Sequence, residues 1–137
     1  MKKIIIFILA LHVALFAELK NEYPTLKLIN SKTPIVDIRT PAEWYETGLV
    51  RNSIPIKFFD ERGKYNVQDF LSQLNKKIDT TKPFALICRT GSRTKVVSEF
   101  LSAQLNYKVT NLLGGIVYIQ AKGLPLIPYK NVVTKKP

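Results

Sequence analysis

KPFALICRTGSRTKVV, Lys82–Val97, joins two patterns that cannot belong to one element. Phe84–Ile87 is an unbroken apolar run after Pro83, too short for a helix core and suited to a strand covered on both faces. From Arg93 the apolar residues fall at helical spacing, with Val97, Phe100, Leu101 and Leu105 on one stripe. Cys88 ends the strand, and Arg89, Thr90, Gly91, Ser92 and Arg93 make the turn. A strand running through a tight turn into a helix is the unit of a parallel α/β sheet, whose ligands sit beyond the carboxyl ends of the strands.

The rest of the chain repeats the alternation. Pro34–Ile38 is β-branched and bounded by prolines, so it is predicted as a buried strand. Thr40 as N-cap, Pro41 in the first helical position, Glu43 in the first turn and Gly48 as the stop predict a short helix. Ser53–Phe59 is predicted extended. In NVQDFLSQLNKKI, Val67, Phe70, Leu71, Leu74 and Ile78 share one helical face behind Asn66 as cap. VTNLLGG gives another strand, IVYIQAKG a last helix, LPLIPY an extended tail, and YPTLKLINSK a short helix or turn. With 137 residues, 46% of them hydrophobic, the chain can fill one domain's core.

The N-terminus reads MKKIIIFILALHVALFAE. Lys2 and Lys3 precede a run, Ile4–Ala17, that is apolar except for His12. That run is short for a bilayer-spanning helix, which needs about 20 residues. It fits a secretory signal peptide over residues 1–17, with Ala17 as the small residue at the cut. The expectation is therefore a single domain over 18–130, a basic tail over 131–137, and an exported protein, periplasmic or secreted. Membrane contact is expected only through an uncleaved signal segment.

The net charge of +11 comes from lysines scattered along the chain, which suits a solvated surface rather than a nucleic-acid stripe. One cysteine cannot make an internal disulfide, and without the signal there is no histidine, so no metal site of the Cys/His type is expected. No cofactor is expected either.

The turn itself has a chemistry. Backbone N–H groups in such a turn point inward, and the next helix adds its free N–H groups and the positive end of its dipole. Gly91 permits backbone geometry that a side chain blocks. Thr90 and Ser92 offer hydroxyls, and Arg89 and Arg93 offer charge. These features favour the thiolate of Cys88, which is the nucleophilic form, and would steady charge on an atom bonded to it. An exposed, reactive thiol is the expectation.

Cys88-Arg89-Thr90-Gly91-Ser92-Arg93 before Thr94 resembles the active-site loop of the rhodanese family of sulfurtransferases, Cys-Arg-x-Gly-x-Arg before Ser or Thr. Asp37-Ile38-Arg39 with Glu43-Trp44 resembles the family's Asp-x-Arg-x-x-x-Glu-aromatic segment, and Leu113-Gly114-Gly115 lies in a stretch that resembles its Leu-x-Gly-Gly turn. The matches run in order from about Leu26 to Pro125. Two positions depart: Gly48-Leu49-Val50-Arg51-Asn52-Ser53 replaces the common Gly-His-Ile-x-Gly-Ala, and Tyr118 stands where Trp is common.

The resemblance implies a central five-stranded parallel sheet with helices on both faces. It implies that Cys88 takes a sulfane sulfur from a small anionic donor such as thiosulfate and passes it from a persulfide to a thiol or cyanide. The loop from Arg89 to Arg93 would bind the donor and the persulfide, with Asp37, Arg39 and Thr94 in support. Beside this, a protein thiol that captures Cys88 in a mixed disulfide is a further candidate partner. Two other readings stand beside it: a non-catalytic rhodanese-like binding or redox-sensing module, and a phosphatase or arsenate reductase. The latter use Cys, five residues and Arg; here the spacing from Cys88 to Arg93 is one residue shorter, which crowds a tetrahedral phosphate.

Overall fold

The computed structural model describes residues 18–130. The expected signal segment and basic tail lie outside the described residues. The elements run β1 (Lys20–Glu22), α1 (Leu26–Ile29), β2 (Ile35–Asp37), α2 (Pro41–Thr47), β3 (Leu49–Val50), β4 (Ile54–Pro55) and α3 (Val67–Lys77). Then come β5 (Phe84–Ile87), α4 (Ser92–Leu105), β6 (Val109–Leu112), α5 (Gly115–Ala121) and β7 (Leu126–Ile127).

Five parallel strands form one sheet in the order β1-β6-β5-β2-β4. The apolar run that precedes Cys88 is its central strand. β5 pairs with β2, Asp37 opposite Ile87, and with β6, Phe84 opposite Val109. Its side chains alternate between two cores. Phe84, Leu86 and Cys88 pack with Phe70 and Leu74 of α3 and with Val97 and Leu101 of α4. Ala85 and Ile87 pack on the other face with Ile29 of α1 and Ile116 and Ile119 of α5. A strand buried on both faces has no polar position to spare, which is why its sequence shows no alternation. Each large side chain buried this way contributes about 1.5–3 kcal/mol.

The helix starts follow the local chemistry. Thr40 accepts from the Glu43 N–H while the Glu43 carboxylate accepts from the Thr40 N–H, a closed capping box ahead of Pro41. Asn66 accepts from the Asp69 N–H at the start of α3. α4 and α5 differ: each starts at a left-handed glycine, Gly91 or Gly114, with no side-chain cap. α4 also begins at Ser92, one residue before the helical periodicity becomes visible in the sequence.

The tail expected as merely extended folds back. β7 pairs antiparallel with β3, Leu49 opposite Ile127, and Tyr129 packs edge-on against Trp44 and Tyr45 of α2. Among the described residues no helix is long and apolar enough to cross a membrane. The carboxyl ends of β2, β5 and β6 bring Arg39, Cys88 and Gly114 to one edge of the sheet.

Candidate active site

Cys88 follows directly from the centre of the sheet, and its loop closes around the sulfur. The Gly91 N–H donates to Cys88 Sγ at 3.2 Å, and Thr94 Oγ1 lies 3.5 Å from the same atom. Thr94 also donates to the Gly91 carbonyl at 3.2 Å, so its hydroxyl fastens the loop to the first turn of α4. Gly91 has φ +96, and a Cβ there would press on the Gly114 N at 3.2 Å. The glycine is needed both for its conformation and for the close approach of the next turn.

Cys88 is fully buried, which corrects the expectation of an exposed thiol. The reason is the alternation of β5: the side chain at Cys88 points to the same face as Leu86, into the core beneath α4. Arg89, Thr90 and Ser92 are exposed, and Thr90 and Ser92 approach each other at 3.4 Å.

A second turn braces the first. The Ile116 N–H donates to the Cys88 carbonyl at 2.9 Å and the Val117 N–H to the Arg89 carbonyl at 3.0 Å. The uncapped start of α5 is therefore satisfied by the loop itself. This contact explains Gly115: a Cβ would stand 2.4 Å from the Cys88 carbonyl oxygen and 2.5 Å from that of Arg89. The start of α4 has no side-chain cap, and the N–H of its N-cap residue, Gly91, is directed at the sulfur.

The two loop arginines differ. Arg93 forms a two-point ion pair with Glu43, Nη1 to Oε2 at 2.9 Å and Nη2 to Oε1 at 2.6 Å. Hydrogen bonds from Arg93 hold the Glu43 carboxyl down to about 2, and the same bonds raise Arg93 above its ordinary range. Attraction to Cys88 is a smaller cause of the Arg93 shift. Arg89 makes no ion pair or side-chain hydrogen bond with a described residue.

Asp37 and Arg39 form a closed unit below the loop. Arg39 Nε meets Asp37 Oδ1 at 2.9 Å and Nη2 meets Oδ2 at 2.8 Å. The remaining guanidinium hydrogens go to Thr47 Oγ1, Gly48 O and Glu43 O at 2.7, 2.8 and 3.3 Å. Trp44 Nε1 donates to Asp37 Oδ1 at 3.1 Å. Both charged residues are buried, and no donor of Arg39 remains for a ligand. Among the described residues no cluster of His, Cys, Asp and Glu could hold a metal ion.

Sequence reasoning marked Glu43 as a helix-start residue and missed its bond to Arg93. The capping signal was correct, but it gives no hint of the second partner. The bracing by Ile116 and Val117 was also missed; the paired glycines before them were the available signal.

Comparison with known proteins identifies the fold and the family. The model of the Rhodanese-like domain matches residues 18–122. A curated but uncharacterised protein of Rickettsia prowazekii (strain Madrid E) is 34% identical over 84 residues, 59% of this chain and 66% of that protein. Among solved structures, a Rhodanese-like domain protein from Staphylococcus aureus aligns with TM-score 0.57 at 25% identity, covering 81% of this chain and 99% of that one. The polysulfide-sulfur transferase homodimer of Wolinella succinogenes aligns with TM-score 0.59 at 21% identity, covering 88% of this chain and 87% of that one. With its fold, its loop around Cys88 and a family match over most of its length, the chain belongs to the rhodanese-like domain family.

Proposed function

We propose that the chain is a sulfurtransferase that works through a persulfide on Cys88. The Cys88 thiolate attacks the outer sulfur of a donor such as thiosulfate. The S–S bond of the donor breaks, sulfite leaves with the electron pair, and Cys88 carries one added sulfur. A thiol or cyanide then attacks that sulfur and releases the Cys88 thiolate, with thiocyanate or a new persulfide as product. The observation that carries this reading is the uncapped start of α4 with the Gly91 N–H on the sulfur: a main-chain donor stands where negative charge collects in both steps. Arg89 attracts and orients the anionic donor; Arg93, paired with Glu43, fixes the loop. Asp37 and Arg39 act by holding the sheet end that presents Cys88.

The test is intact mass after treatment with thiosulfate, and with polysulfide, which the name of the Wolinella protein adds to the donors worth trying. The expected result is one sulfur atom gained on Cys88 and lost on adding cyanide or a thiol, with Cys88→Ser gaining none. The complete burial of Cys88 favours a second reading, a non-catalytic binding module. No adduct on the folded protein would favour that reading over the first. We further propose export with cleavage before Glu18; N-terminal sequencing of the mature protein that found Met1 would reject it.

A further inference from the structure

We propose that the cleft between α2 and α5 receives the sulfur acceptor, and that it selects a small thiol carrying both an ammonium and a carboxylate, an α-amino acid thiol. This rests on the sulfurtransferase reading above and names the acceptor class for the same site.

The cleft has a volume of about 160 Å³, with Glu46 and Thr47 from α2, Ile116, Val117 and Gln120 from α5, and Arg89 among its walls. One water occupies about 30 Å³ in the liquid, so the space holds a molecule of only a few heavy atoms. Two of its charges are unspent. Neither the Glu46 carboxylate nor the Arg89 guanidinium makes an ion pair or side-chain hydrogen bond with a described residue, including each other. The neighbouring charges are all closed: Asp37 on Arg39, Glu43 on Arg93. Opposite charges that line one small cleft without meeting suit a ligand that bridges them. An α-amino acid carries both countercharges, a carboxylate for the planar guanidinium of Arg89 and an ammonium for Glu46. A simple anionic thiol would meet the carboxylate of Glu46, and a simple cationic thiol the guanidinium of Arg89. Ile116 and Val117 supply the apolar wall for the methylene.

The cleft and the sulfur share a backbone. Arg89 follows Cys88 directly, and the Ile116 and Val117 N–H groups hold the Cys88 and Arg89 carbonyls. Cys88 itself does not line the cleft and is buried, so the acceptor's thiol reaches the persulfide when the loop yields. In the step, the acceptor thiolate bonds to the outer sulfur. The S–S bond to Cys88 breaks, Cys88 departs as thiolate with the electron pair, and the acceptor leaves as its own persulfide.

The experiment loads Cys88 with thiosulfate, verifies the adduct by mass, and measures KM for cysteine, cysteamine, 3-mercaptopropionate and 2-mercaptoethanol with the wild type and Glu46→Gln. The wild type should show its lowest KM with cysteine. Glu46→Gln should raise the cysteine-to-mercaptoethanol KM ratio at least fivefold and lower the mercaptopropionate-to-mercaptoethanol ratio. An adduct that forms normally, with KM ratios the same in both proteins, overturns this inference alone. Failure of the wild type to form any adduct overturns the sulfurtransferase reading and this inference with it.

Discussion

Arg93 and Glu43, 50 residues apart in the chain, are joined at two points, and the pair ties the start of α4 to the first turn of α2. Glu43 serves both ends at once: its Oε2 accepts from Arg93 and from the Thr40 N–H. The capping box that begins α2 is thereby also the anchor of the cysteine loop. Of the two loop cations, one is spent on architecture and one, Arg89, stays open to solvent and ligand.

The pair should show in the acid limb of stability. The Glu43 carboxyl lies at about 2 in the folded chain against an ordinary value of 4.5, so the ion pair stabilises the fold fully above the ordinary value. That contribution is lost as the pH falls toward about 2. The residues are partly exposed and screened, so the expected size is about 1 kcal/mol or less. Urea midpoints of the wild type and Glu43→Gln should differ most at neutral pH and converge as the pH falls toward about 2. A gap that stays constant down to the acid end would show that Glu43 acts through something other than its charge.

Gly115 should be the most sensitive glycine. Its φ is +56 and an added Cβ would meet two backbone carbonyls, Cys88 and Arg89, that are fixed by their own bonds. Gly115→Ala should destabilise by at least about 2 kcal/mol and impair sulfur uptake by Cys88, because the start of α5 must move off the loop. Gly63 is the control: its φ is +75 with open space around the missing Cβ, so Gly63→Ala carries only conformational strain, about 1 kcal/mol. Denaturation of both variants checks the contrast, and equal losses would refute the close-approach argument.

The central strand, α2, α3 and α4 were legible in the sequence because each has a strong local signal: an apolar run, a capping box or a 3.6-residue stripe. β1 was not. Its residues Lys20, Asn21 and Glu22 are polar and exposed, and they join the edge of the sheet through main-chain pairing with β6 and one side-chain bond, Asn111 Nδ2 to Asn21 Oδ1. β3 and β7 are two residues each, below the length at which any periodicity exists. Within the site, the loop could be read because its residues are contiguous. The Arg93–Glu43 pair and the bracing by α5 join residues distant in sequence, and no local pattern encodes such partners.

Asp37 and Arg39 should matter for folding more than for chemistry. The pair is buried, and each remaining guanidinium hydrogen has its own oxygen. Asp37→Asn leaves a buried guanidinium without its counter-charge and should cost about 3–5 kcal/mol. Arg39→Lys should not rescue, since an ammonium cannot reach both Asp37 oxygens, Thr47 and Gly48 together. Chemical denaturation measures both losses. Wild-type stability with a selective loss of donor binding would move these residues into the binding machinery.

Access to Cys88 gives the last test. The sulfur has no exposed surface, yet transfer requires a donor atom to touch it. Something must open, and the groups bonded to the sulfur are Gly91 in the loop and Thr94 in the first turn of α4. Opening a short loop is a local event, far less costly than unfolding the sheet beneath it. A bulky aromatic disulfide should therefore modify the native thiol much more slowly than the unfolded chain, while thiosulfate adds its sulfur readily. Thr94→Ala removes the hydroxyl that fastens the loop through the Gly91 carbonyl, and should speed modification by the bulky reagent. The measurement is the pseudo-first-order rate of each reagent with native and urea-unfolded protein. Equal rates of the bulky reagent with native and unfolded chains would mean that the thiol is open at rest. A Thr94→Ala rate matching the wild type would remove the loop as its gate.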